Sequence, residues 1–66
     1  MKMTIEITQK KDLKINGKNG YYLIKQEKDI FYIYKKYNDD DNLYYIESMK
    51  TIVDALIRIY NGYIEI

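Results

Sequence analysis

Neither cysteine nor histidine occurs in this 66-residue chain, and that pair of absences removes more chemistry than any other feature. Without them there is no thiolate nucleophile, no imidazole base for a serine, no disulfide and no zinc site of the usual kind. Only three glycines are present, in neither G-x-x-x-x-G-K-[ST] nor G-x-G-x-x-G order, so the common nucleotide-binding signatures are missing too. The expectation is a non-enzyme with no cofactor. The lack of cysteine fits a reducing compartment. No run approaches the ~18 apolar residues of a membrane span, and MKMTIEITQKK alternates without a signal-peptide core. A cytoplasmic protein with no membrane partner is expected. Proline and tryptophan are absent as well, while isoleucine, lysine, tyrosine and asparagine dominate, usage that fits an AT-rich genome.

A single domain of this length buries only about 60% of its unfolded surface. With no staple to help it, stability must come from apolar packing. The net charge of +1 hides an asymmetry. Residues 1–37 carry nine lysines against four acids, leaving +5; residues 38–66 carry Lys50 and Arg58 against six acids, leaving −4. Such polarity can steer a partner.

The stretch from Ile30 to Gly62 carries the clearest pattern: IFYIYKKY, NDDDN, LYYIES and MKTIVDALIRIYNG. It predicts strand, acidic turn, strand and an amphipathic helix over about 49–61. Ser48 is the expected N-cap. Met49, Ile52, Val53, Leu56 and Tyr60 form the expected apolar stripe, with Lys50, Asp54 and Arg58 opposite. Upstream, Met3, Ile5 and Ile7 alternate with polar residues, and Leu13 and Ile15 do so briefly. Asn16-Gly17 and Asn19-Gly20 predict a turn using positive φ. Tyr21–Glu27 is the next strand, joined to Ile30–Tyr37 by Lys28-Asp29. Tyr63–Ile66 is a candidate last strand. The predicted fold is α+β: a small antiparallel sheet of three to five strands, with one helix on one face.

One helix covers only one face of such a sheet. With Phe31 and Ile33 turned to the helix, Tyr32 and Tyr34 point away. Leu23 and Tyr21 are assigned to the core, and Tyr22, Ile24 and Tyr45 to the far face. Nine tyrosines exceed what the helix can bury, so some lie exposed. Tyrosine combines large contact area with little entropy to lose, which makes it a common interface anchor. The expected protein-binding set is therefore Tyr22, Tyr32, Tyr34 and Tyr45, with Asp39, Asp40, Asp41 and Glu47 as acids facing a basic partner surface. The alternative is a nucleic-acid-binding face in which Lys25, Lys35 and Lys36 meet phosphates beside stacking rings. The single arginine, on the helix, and the near-neutral charge count against that alternative. A homo-oligomer joined through the tyrosine face is a third reading. No metal site is expected: an EF-hand loop starting at Asn38 needs glycine where Leu43 stands and glutamate where Met49 stands.

The segment IYKKYNDDDNLYYIESMKTIVDALIRIYNGY resembles small phage-encoded anti-CRISPR proteins, in which a three-stranded antiparallel sheet packs on helices and acidic side chains occupy a site meant for DNA. The likeness covers about half the chain, without a diagnostic motif or the preceding helix and dense acidic surface of those proteins. It implies a phage or mobile-element inhibitor acting in the host cytoplasm on a larger host protein, one that itself binds nucleic acid. Asp39, Asp40, Asp41 and Glu47 are the inhibitory acids under this resemblance. A three-stranded sheet backed by one helix is also the architecture of integrase arm-type-site-binding domains, which would place Lys25, Lys35 and Lys36 on DNA phosphates.

Overall fold

Five strands and one helix follow in the order the alternation suggests. A computed structural model describes residues 4–62. The strands are β1 (Thr4–Ile7), β2 (Leu13–Asn16), β3 (Gly20–Glu27), β4 (Ile30–Tyr37) and β5 (Tyr44–Met49), followed by α1 (Ile52–Gly62). All neighbours pair antiparallel in simple sequence order, β1-β2-β3-β4-β5. This is the small α+β fold that the pattern predicts. The expected strand at Tyr63–Ile66 lies outside the described residues, as does Met3.

The two-residue turn Lys28-Asp29 pairs Glu27 with Ile30, and that pairing fixes Ile24 opposite Ile33 and Tyr22 opposite Lys35. Side chains on one face of a pleated sheet move together. Because Ile33 faces the helix, Tyr22 and Ile24 face it as well, and Tyr21 and Leu23 turn to the far side. This reverses the expected assignment of β3. The core is Ile15, Tyr22, Ile24 and Ile33 from the sheet with Ala55 and Ile59 from the helix. Leu13, Phe31, Ile46, Met49, Ile52 and Leu56 pack around it.

The helix begins later than its periodicity suggests. Met49 pairs with Phe31 as the last residue of β5, and Ser48 pairs with Tyr32 inside the strand. The N-cap is Thr51, whose Oγ1 accepts the Asp54 backbone N–H at 3.0 Å. A register shift at Ile33/Tyr34 marks a bulge in the β4–β5 ladder. It lets Ile46 and Met49 both reach the core despite their odd spacing. Along α1, Ile52, Ala55, Leu56 and Ile59 face inward, whereas Val53, Ile57 and Tyr60 are exposed. The true stripe is thus rotated from the expected one. Arg58 reaches down to Glu47 on β5, Nε to Oε2 at 2.9 Å, a partner on the sheet that the helix-surface row of Lys50, Asp54 and Arg58 does not anticipate.

Turn chemistry also differs from expectation. No described glycine has positive φ; Lys11 (66°) and Lys28 (56°) hold the left-handed positions. Gly20 is required for another reason: a Cβ there would sit 2.0 Å from the Lys36 carbonyl oxygen. The loop between β2 and β3 is tied to the end of β4, where the Asn38 N–H donates to the Asn19 carbonyl at 2.9 Å and Asn38 Nδ2 to the Lys18 carbonyl at 3.1 Å.

Candidate binding face

Among the described residues, no element covers the face of the sheet opposite α1. Alternation from the paired registers places Lys14 of β2, Tyr21, Leu23 and Lys25 of β3, Tyr32, Tyr34 and Lys36 of β4, and Tyr45 of β5 on it. The Tyr45 ring lies 6.2 Å from Tyr32 and 5.7 Å from Tyr34, tilted and edge-on respectively. Both geometries match the quadrupole preference of aromatic pairs. Lys14 Nζ stands 4.3 Å from the Tyr21 ring centroid, Lys36 5.9 Å from the same ring, and Lys25 5.7 Å from the Tyr34 ring. In each case the ammonium nitrogen stands over a ring, where the ring quadrupole attracts it. Leu23, between Lys14 and Tyr34 in the ladders, is buried beneath them. A shallow groove of about 410 Å³ continues this surface, with Lys10, Lys14, Lys25, Tyr21 and Leu23 in its wall.

Three of the expected anchors, Tyr32, Tyr34 and Tyr45, are therefore brought together. Tyr22 is not among them. It is 2% exposed on the helix side and belongs to the core. Glu47 also lies on the helix side, bonded to Arg58. Of the alternative lysines, Lys25 and Lys36 share the tyrosine face, while Lys35 lies on the other side, 4.7 Å from the Tyr37 ring. Tyr21 and Lys14 are the members that sequence reasoning missed. The two-residue turn at Lys28-Asp29 was the signal that places Tyr21, through Tyr21 opposite Lys36.

The acidic turn after β4 does not present three equivalent carboxylates. The Tyr44 hydroxyl donates to one carboxylate oxygen of Asp40, and the Asn42 backbone N–H donates to the other at 2.9 Å. These two bonds, the tyrosine's first, hold the Asp40 carboxyl below its ordinary value. The same contact pushes the Tyr44 phenol above its own. Asp39 and Asp41 remain exposed. Among the described residues no three acidic side chains converge closely enough to hold a metal ion.

No helix among the described residues is long and apolar enough to cross a membrane. No family model matches the chain, and neither a curated protein nor a solved structure does.

Proposed function

We propose that this chain is a non-enzymatic protein-binding module and that the uncovered sheet face is its contact surface. The observation that carries the proposal is the trio Tyr32, Tyr34 and Tyr45, whose rings hold one another at 5.7–6.2 Å on rigid strands. Rings fixed in advance lose little entropy on binding, and tyrosine anchors with apolar bodies and polar tips account for much of the energy of protein interfaces. Lys25 and Lys36 flank the trio and suit acidic side chains on a partner. In its specific form the proposal is a phage or mobile-element inhibitor that blocks a larger host defence protein. Minimal size, the exposed Asp39 and Asp41 and the resemblance to anti-CRISPR proteins support that form.

The test is capture from host lysate with tagged protein, with and without nuclease, comparing wild type with Tyr32→Ala/Tyr34→Ala. One stoichiometric protein that survives nuclease and is lost with the double variant supports the proposal. The expected loss of affinity is about 100-fold. Undiminished capture by the double variant overturns the anchor assignment.

A second reading, single-stranded nucleic acid, is favoured by one observation: Lys14, Lys25 and Lys36 share the face with four tyrosines. Three phosphate contacts predict a log–log salt slope of about −2. A flat salt response eliminates this reading.

A further inference from the structure

All three glycines of the chain follow asparagine, as Asn16-Gly17, Asn19-Gly20 and Asn61-Gly62. An Asn-Gly pair can modify itself. The glycine backbone nitrogen attacks the asparagine Cγ, a C–N bond forms, and the side-chain nitrogen leaves as ammonia. Water then opens the cyclic imide to aspartate or isoaspartate, with one new negative charge. Glycine suits this step because it has no side chain to shield its nitrogen. Closing the ring also requires the asparagine ψ to rotate, which swings the peptide unit between the two residues. What holds that unit decides the rate, and the three pairs are held differently.

Asn16 lies inside the sheet, between Thr4 of β1 and Tyr21 of β3. The attacking nitrogen of Gly17 donates its hydrogen to the Gly20 carbonyl at 2.8 Å. Asn19 is exposed, yet its peptide unit is tied down. Its carbonyl accepts the Asn38 N–H at 2.9 Å. Gly20 is buried, and it lies so close to β4 that a Cβ would sit 2.0 Å from the Lys36 carbonyl oxygen. Rotation at either pair must pull strands or loops apart. Asn61, by contrast, is exposed in the final turn of α1. Rotation there breaks only bonds of that turn, and helix ends open at little cost.

We infer that Asn61 is this chain's site of spontaneous deamidation, and that the fold shields Asn16 and Asn19 from the same reaction. The modification acts locally. The last turn of α1 has no basic residue, so a carboxylate there adds to the negative end of the helix dipole. Asn61 also lines a groove of about 460 Å³ with Ile5, Ile57 and Tyr60, whose described wall is otherwise uncharged. The new charge therefore lands on apolar surface. Asn61 sits on the helix, across the sheet from the tyrosine trio, so the inference is independent of the proposed binding function.

Incubation of the full chain in mildly alkaline buffer, native and in urea, tests it, with tryptic digestion and mass spectrometry as the readout. Cleavage after Lys14, Lys18, Lys25 and Arg58 puts the three pairs on separate peptides, 15–18, 19–25 and 59–66. In the native chain Asn61 should convert at least about tenfold faster than Asn16 or Asn19, because paired segments open far more rarely than helix ends. In urea the three rates should converge. Asn61→Gln suits an exposed helix position and forms the imide far less readily, so it should remove the early native conversion. Native conversion of Asn16 or Asn19 as fast as that of Asn61 overturns the inference. An Asn61 that converts in urea but not in the native chain overturns it too, since the end of α1 would then be held as firmly as the sheet.

Discussion

The two faces of the sheet solve the same problem by different means. On the covered face Ile33, Ala55 and Ile59 lie almost wholly out of water, because a second layer presses on them. Charge is kept to its rim, in the Arg58–Glu47 pair. On the open face no described element forms a second layer, yet Leu23 is still buried. Its cover comes from neighbours on the same sheet, with lysine ammonium groups set over tyrosine rings and Tyr34 and Tyr45 edge-on to one another. Amphipathic side chains can do this because their apolar bodies shield while their tips stay hydrated. The comparison shows that residue type alone does not decide the role. Tyr22 is core and Tyr45, at 54% exposure, is surface, and only strand register separates them.

That difference should be largest in stability. Ile33→Ala removes a side chain with no exposed area and leaves a cavity between the layers, at a cost of about 3–4 kcal/mol. A domain of this length has roughly 3–10 kcal/mol of total stability, so the substitution should remove a third or more of it. Tyr45→Ala removes a larger side chain but only same-face contacts, at about 0.5–1 kcal/mol. Urea titration followed by circular dichroism measures both. Comparable losses would mean that the open face is a second core and not a cover.

Much of this architecture is legible without coordinates. Alternation locates the strands because apolar and polar side chains fall on opposite faces, even in β1, where all four residues are exposed, and the apolar 3–4 spacing locates α1. What was misread has local causes. Ser48 is a good capping residue in isolation, but Thr51 is followed by Asp54 three residues on, the pattern of a helix start. The bulge that carries Met49 into the core is invisible to a period-two rule. Asn-Gly pairs suggested left-handed turns, yet Gly20 is needed so that the backbone of β4 can approach. Of the binding face, the tyrosines of β4 and β5 were legible and those of β3 were inverted. Alternation alone leaves the face of β3 undecided; the Lys28-Asp29 turn, which sets Glu27 opposite Ile30, decides it.

The cap gives an intermediate effect that tests this boundary between sheet and helix. Thr51→Ala removes the acceptor for the Asp54 N–H and should lower stability by about 1 kcal/mol. Ser48→Ala, on an exposed strand position, should change it by less than about 0.5 kcal/mol. Thermal melts of the two variants distinguish the cases. The reverse ranking would return the helix start to Ser48.

The smallest effect is expected where the β4–β5 hairpin closes. Asp40 and Tyr44 hold opposite protonation states in one hydrogen bond, a carboxylate accepting from a neutral phenol. Because the Asp40 carboxyl is depressed in the fold, its contribution is present above its ordinary value of 3.8 and fades as pH falls through the lower folded value. The Tyr44 phenol is raised. Its contribution is therefore complete below its ordinary value of 10.0 and is lost as pH climbs through the higher folded one. The contact thus operates across the whole neutral range and fails at both extremes. Tyr44→Phe removes the donor and keeps the ring. The Asp40 carboxyl should then titrate higher, while staying below its ordinary value because the Asn42 N–H still donates to it. Carboxyl-carbon NMR shifts against pH read this directly at the site. An unchanged Asp40 titration would mean that Asn42 alone holds the turn, and that Tyr44 is free to serve the surface as its neighbour Tyr45 does.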